Sequence, residues 1–170
     1  MKIGIISDSH DNLTNIDSAI NFFKKNKIKH LIHAGDLCFI DSLDHILKTF
    51  NGKVYLVEGN GDDQVEKFKQ IAESNKNFFF YTNVGEVIIN KQSIAFTHKP
   101  EITEKLALSD KYNLIIYGHT HKPWEKVIKT DSKTVRIINP GTLAGLFNRA
   151  TLAVYDTKKQ QADLILLEKI

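Results

Sequence analysis

Apolar and polar residues alternate along the first half of the chain in blocks of two kinds. Short, nearly continuous apolar runs at Lys2–Ile6, His30–His33 and Lys53–Val57 have the length and composition of strands buried on both faces. Between them the apolar period lengthens. From Asn12 to about Lys25, the residues Leu13, Ile16, Ala19, Ile20 and Phe23 recur largely at helical spacing, which predicts an amphipathic helix. A second helix is expected over Asp41 to Phe50, with Asp41 as its N-cap and Leu43, Ile46, Leu47 and Phe50 on one face. Asp63 to about Ser74 gives a third. Strand–helix–strand–helix order of this kind argues for parallel strands joined by crossover helices.

The second half is richer in strands. Phe78–Tyr81, Val87–Ile89, Ser93–Thr97, Leu114–Tyr117, Val135–Ile138, Leu152–Tyr155 and Ala162–Leu167 all read as extended. Polar pairs at Asn90-Lys91 and Lys158-Lys159 look like hairpin turns, and a helix is expected between Ile102 and Ser109. A mixed α/β domain with two packed sheets and outer helices accommodates the pattern.

Composition narrows this picture without changing it. The chain has 170 residues, with no internal repeat, low-complexity tract or linker, so it is read as one domain over 1–170. A net charge of +3, from lysines scattered along the chain, gives no specific nucleic-acid signal. No apolar run approaches the ~20 residues of a membrane-spanning helix. The opening apolar run is too short for an export signal and is read as a strand. Cys38 is the only cysteine, which fits a reducing cytoplasm. Nothing in the composition opposes a homo-oligomer.

The candidate chemistry sits where apolar strands end. Asp8-Ser9-His10 follows the first strand, Gly35-Asp36 the second and Gly59-Asn60-Gly61-Asp62 the third. His98 follows a later strand, and Gly118-His119-Thr120-His121 another. Ligands of α/β sheets gather beyond the carboxyl ends of strands, so these loops could meet at one site. In an extended segment, residues two apart point the same way, so Asp8 with His10, and His119 with His121, could each face one pocket. Carboxylate, imidazole and amide donors without thiolate suit Mn, Fe, Co, Ni or Zn. A dedicated Ca or Mg site would use oxygen throughout. One carboxylate can bridge two ions ~3.5–4 Å apart, and such a pair acidifies water and attracts phosphate. Each element also has an ordinary reading. Asp8, Ser9 and Asn12 could cap the first helix, Gly59–Asp62 could be only a turn, and His98 could be a plain strand-end histidine. Their conjunction, in order, favours the metal site.

These motifs resemble those of the calcineurin-like metallophosphoesterases. Asp8-Ser9-His10 looks like the opening D-x-H, Gly35-Asp36 like G-D, and Gly59-Asn60-Gly61-Asp62 like G-N-x-D. Gly118-His119-Thr120-His121 matches G-H-T-H, and Asn139-Pro140-Gly141-Thr142 is similar to the N-P-G-S loop of the small bacterial and archaeal branch. The resemblance implies a four-layer α-β-β-α sandwich holding two divalent transition-metal ions, with Mn the leading candidate. Asp8, His10, Asp36 and His121 would hold one ion. Asp36, Asn60, His98 and His119 would hold the other, with Asp36 as the bridge. Two positions depart from the pattern. Gly61 stands where many members carry a histidine, and Pro100 replaces the second histidine of H-G-H in His98-Lys99-Pro100.

The function implied is hydrolysis of a small phosphate ester, with a diester the expected substrate, by a metal-bridging hydroxide attacking in line. Asp36 and Asn60 form the implied catalytic set, with Asp62 as a substitute proton donor. The alternative is a weakly catalytic interaction scaffold on the same fold, of the kind found in retromer. Among the other polar and aromatic residues, Cys38 is read as a small buried residue, and His33 as a core or supporting histidine. His30 and His45 are read as surface residues. Trp124 is expected in packing, a protein contact or a pocket floor, and Lys99 is a possible phosphate contact.

Overall fold

A computed structural model describes residues 1–130 and 132–170. Its first sheet is built on four parallel strands, β1 (Lys2–Ile6), β2 (His30–His33), β3 (Lys53–Val57) and β4 (Phe78–Tyr81), in that spatial order. Two later strands, β10 (Thr151–Asp156) and β11 (Gln161–Leu166), extend it antiparallel beyond β1. The crossovers are α1 (Leu13–Lys25), α2 (Ile40–Thr49) and α3 (Val65–Ser74). Strict alternation along β1 divides its side chains between two layers. Ile6 packs with Ile16, Ile20 and Phe23 of α1, while Ile3 and Ile5 face the other way.

That other face meets a second sheet with spatial order β5-β6-β7-β9-β8. Its strands are β5 (Val84–Ile89), β6 (Gln92–Thr97), β7 (Leu114–Ile116), β8 (Trp124–Lys129) and β9 (Thr134–Asn139). Ile3, Ile5, Ile32 and Val57 pack there against Ile94, Phe96, Leu114 and Ile116. The outer face of this sheet is covered by a 3-10 turn (Pro100–Ile102) and α4 (Thr103–Leu108), whose Ala107 packs with Ala95, Ile115 and Ile137. The result is the expected α-β-β-α arrangement, with a thin fourth layer.

Several boundaries differ from those the sequence suggests, for physical reasons. Asp41 is not the cap of α2. The helix starts one residue earlier, behind Phe39, which has no capping side chain. Remote residues satisfy its first N–H groups: Asp11 Oδ1 accepts from Phe39 N at 3.2 Å, and Gln64 Oε1 from Ile40 N at 2.9 Å. The helix after His98 starts with Pro100, earlier than Ile102, because proline fits a first helical turn. β8 is an addition: its Glu125, Lys126 and Lys129 hide the strand pattern on a half-exposed sheet edge. The turn at Asn90-Lys91 has positive φ at both residues (48° and 64°), as a two-residue hairpin loop requires.

β1, β2 and β3 of one sheet and β6, β7 and β9 of the other are mutually parallel within their sheets. Their carboxyl ends therefore emerge together, and this brings distant loops to one place. Asn12 fastens the first of these loops. Its Oδ1 accepts from Asn15 N at 3.1 Å, capping α1, and its Nδ2 donates to Ala144 O at 3.1 Å. Asn12→Ala is expected to cost about 1–2 kcal/mol in urea denaturation, with Asn12→Ser, which keeps only the cap, falling between variant and wild type. Equal loss in both variants would mean that the cap contributes nothing.

Candidate metal centre

The loops after β1 and β2 run side by side beyond the sheet. Asp8 N donates to Gly35 O at 3.0 Å and His10 N to Asp36 O at 3.1 Å. On the other flank Leu143 N and Ala144 N donate to Ser7 O and Asp8 O at 2.9 and 3.0 Å. The backbone here is not extended. Asp8, His10, Asp36, Cys38, His119 and His121 all have positive φ, between 38° and 85°. The expectation that Asp8/His10 and His119/His121 pair by strand alternation is therefore corrected. Asp8 and His10 come together because left-handed residues curl their loop over the strand ends, while His121 joins them and the His119 ring turns to His98. Such conformations cost of order 1–3 kcal/mol each and persist where the surroundings over-determine them.

Two glycines show how tight the crossing is. A Cβ on Gly118 would lie 2.0 Å from Ser7 Oγ and 2.9 Å from Asp8 Oδ2, and one on Gly59 would lie 2.2 Å from Asp36 N. Only a bare backbone fits at either point.

Asp8, His10, Asp36 and His121 each place a donor atom within 4.8 Å of all the others. His121 Nε2 lies 3.2 Å from Asp8 Oδ1 and His10 Nε2 lies 3.7 Å from Asp36 Oδ2. The second oxygen of Asp36 looks the opposite way, with Oδ1 at 3.5 Å from His98 Nε2. Asn60 Oδ1 is 3.0 Å from that same nitrogen, and the His119 ring packs edge-on against His98 at 5.1 Å. The structure thus gathers the predicted residues into two groups that share Asp36.

The donor chemistry fits cations. His98 Nδ1 bonds to Ala34 O at 2.8 Å, and His121 Nδ1 to Leu146 O at 3.3 Å. A carbonyl only accepts, so each ring places a proton on Nδ1, and a neutral ring of that tautomer turns its Nε2 lone pair inward. In that form the lone pairs face the oxygens of Asp8 (Oδ1, 3.2 Å) and Asn60 (Oδ1, 3.0 Å), an arrangement that a shared cation would satisfy. Atoms sharing an ion bound at about 2.0–2.2 Å stand about 3 Å apart, and the observed separations are of that size. Among the described residues, neither Asp8 nor Asp36 has a lysine or arginine partner. Burial pushes the Asp8 carboxyl up to about 6, with nearby Asp36 adding to the effect, as expected of a charge that lacks its counter-ion.

Other candidates take supporting parts. Asp62 is buried, and its carboxylate accepts from Gly59 N (2.6 Å), Cys38 N (2.7 Å) and Asp36 N (3.3 Å). Burial raises its pKa while the Cys38 and Gly59 N–H groups oppose the rise. With both oxygens engaged by backbone donors, Asp62 clamps two loops together and is poorly placed to deliver a proton. Burial holds the Cys38 thiol up at about 12, so it is neutral, and its Sγ sits 3.5 Å from His10 Nδ1. Asn139 Nδ2 ties Gly118 O and Thr120 Oγ1, and Thr142 Oγ1 donates to Asp8 O, so the Asn139–Thr142 motif braces the centre. Trp124 is half-exposed and packs edge-on with Tyr117 at 6.4 Å. His30 packs on Tyr55, and His45 pairs with Asp17 at 2.6 Å. Phe147, in a loop without a readable pattern, stands over the ring of His121 at 5.9 Å.

Residues 1–160 match the sequence profile of the calcineurin-like phosphoesterase superfamily domain. Phosphodiesterase MJ0936 of Methanocaldococcus jannaschii is 33% identical over 177 positions, which cover 99% of this chain and all (100%) of the relative. The solved structure of an archaeal phosphodiesterase superposes with a TM-score of 0.86 at 29% identity, over 98% of this chain and 99% of that one. Vacuolar Protein Sorting 29 from Cryptosporidium parvum superposes at 0.64 with 19% identity, over 97% of this chain and 95% of that one. The last is a likeness of fold alone.

His33 supports the centre from below, with Nε2 at 2.8 Å from Ser9 Oγ and its Nδ1 unpartnered among the described residues. Burial pushes its pKa from 6.5 down to about 3, helped by repulsion from His98 and His10. Below pH 6.5 the unfolded chain binds a proton there that the folded chain refuses, so stability falls with pH down to about 3. Asp8 acts oppositely between about 6 and 3.8, because its folded carboxyl protonates first. His33→Gln keeps a polar group toward Ser9 and removes only the histidine's share. From pH 7 to 5, the metal-free wild type is expected to lose about 2 kcal/mol more than this variant in urea denaturation. Parallel pH profiles would show that His33 is protonated in the folded state.

Proposed function

This chain belongs to the calcineurin-like phosphoesterase superfamily, and we propose that its centre hydrolyses phosphodiesters with two divalent transition-metal ions. The phosphodiester preference draws on the two archaeal relatives, and the two-ion reading on one observation: Asp36 turns its oxygens toward two separate groups of donors. Asp8, His10, Asp36 and His121 would hold one ion, and Asp36, Asn60, His98 and His119 the other. The family resemblance makes Mn the leading candidate, and nitrogen and oxygen donors without thiolate are equally compatible with Ni, Fe, Co or Zn. When bound, such ions supply Lewis acidity toward phosphoryl oxygens and lower the pKa of water.

The chain's own residues do the rest. Ala34 O and Leu146 O fix the tautomers of His98 and His121, so both rings meet an ion as neutral ligands without reorientation. Asp36 and Asn60 would serve as ligands to the ions, and Asp62 holds their loops in register through Gly59 N, Cys38 N and Asp36 N. Lys99, exposed and next to His98 in sequence, would be a candidate cation for a phosphate oxygen. A single cysteine is consistent with a cytoplasmic enzyme, and no helix among the described residues is long and apolar enough to cross a membrane.

Elemental analysis after metal loading is expected to give about two ions per chain, with activity lost on chelation and restored by Mn. Asp36→Asn should abolish the second equivalent and lower activity more than Asn60→Ala, which removes one neutral ligand. One ion or none at saturation would overturn the two-ion reading and favour an interaction scaffold.

Gly61 makes a further expectation. A Cβ there would sit 3.3 Å from Asp36 Cγ, so a side chain would lean over the centre, yet glycine has none to protonate a departing oxygen. With Asp62 committed to backbone N–H groups, the rate should depend steeply on leaving-group acidity across substituted phenyl esters. General-acid help is worth ~10²–10⁴-fold, and alkyl leaving groups should be slower by that order. A flat dependence, with chemistry limiting, would reveal a donor elsewhere.

A further inference from the structure

Phe147 has the most exposed large apolar side chain among the described residues, at 94%. Its position is imposed by a fastened loop. Leu143 N and Ala144 N are bonded to the Asp8 loop, and Leu146 O holds His121 Nδ1 at 3.3 Å. Gly145 and Phe147 then take positive φ, 79° and 61°, which turns the phenyl ring outward beside that histidine. For a bulky residue, a left-handed backbone is an uncommon and strained choice. The ring centroid stands 5.9 Å from that of His121, tilted by 34°, while His121 Nε2 points at Asp8 Oδ1. Leu146, 44% exposed, adjoins it. An uncovered aromatic face therefore stands one ring away from the place where phosphorus would sit.

A phosphodiester held at that centre carries two substituents. One directed toward His121 would meet the Phe147 face, where an alkyl group finds little to stack on and a flat ring finds a partner. We propose that Phe147 is a specificity-determining residue that stacks on an aromatic ring carried by the phosphodiester substrate. This inference rests on the phosphodiesterase reading above and extends it to a substrate class.

The test holds the leaving group constant and changes only the retained group. Phenyl 4-nitrophenyl phosphate and methyl 4-nitrophenyl phosphate both release nitrophenolate, and are compared on the Mn-loaded protein. Phe147→Ala is expected to reduce the phenyl-to-methyl ratio of kcat/KM by roughly two- to tenfold, mainly through KM, the range that loss of one aromatic pair produces. Phe147→Trp should keep or raise the ratio, and Leu108→Ala, at an exposed apolar residue on α4, should leave it unchanged. Equilibrium binding of diphenyl phosphate against dimethyl phosphate should show the same loss in Phe147→Ala without turnover.

A ratio identical in wild type and Phe147→Ala overturns the inference and leaves the phosphodiesterase reading intact. The same holds if Phe147→Ala only abolishes self-association at an unchanged ratio, which would assign the residue to an interface between copies. Failure of the loaded wild type to hydrolyse or bind any of these esters would overturn both readings together.

Discussion

Asp8 and Asp36 lie buried at the ends of parallel strands, and no lysine or arginine among the described residues stands beside either one. Buried carboxylates in such a place are normally paired, because taking an unpaired charge out of water costs several kcal/mol. Here the neighbouring groups are imidazoles and an amide oxygen, with the Nε2 atoms of His10, His98 and His121 turned inward. The arrangement makes sense as half of an interaction whose other half is cationic. Most of what is unusual in the surrounding structure follows from holding those atoms together against their mutual repulsion.

The holding is done by backbone. Left-handed residues in the Asp8, Asp36 and His119 loops each store strain, yet the loops are bonded to one another on both flanks and braced by Asn12, Asp62, Asn139 and Thr142. The carbonyls of Ala34 and Leu146 set which nitrogen of His98 and His121 carries the proton. Gly59 and Gly118 allow loops to approach within distances that any Cβ would block. Stability is thus spent at one end of the sandwich to fix a geometry that a relaxed chain would not adopt, and the three apolar layers beneath supply it.

Much of this was legible in the sequence because the relevant signals are local. The boundaries of β1, β2 and β3 follow from short apolar runs, and α1 from helical spacing with Asn12 at its cap. The residues at strand ends announced the centre, since few side chains can hold a metal and they recur in order. What was not legible depends on remote partners. Asp41 looked like a cap because nothing near it shows that Asp11 and Gln64 serve that end of α2. β8 escaped because an edge strand with charged residues lacks the apolar signature of a central one. Strand alternation seemed to explain Asp8 with His10, although the loops are left-handed; the pairing was right for a wrong reason. Asp62 looked free to donate a proton until its three backbone partners were seen. Phe147 carried no signal, because a lone aromatic in a loop means nothing until it is found beside His121.

The same sandwich is shared with Vacuolar Protein Sorting 29, a likeness of fold alone, and a fold does not by itself decide function. The decision rests on the strand-end loops, where one missing donor would leave a buried carboxylate or an inward lone pair without a purpose. In this chain none of the seven expected donor positions is replaced by an apolar side chain. Drift toward a purely structural role would be expected to relieve the cost first, exchanging Asp8 or Asp36 for a neutral residue and relaxing the left-handed turns. Both carboxylates, both pinned histidines and both tight glycines persist together. A site this costly in strain and desolvation is most simply explained by the ions that it would bind.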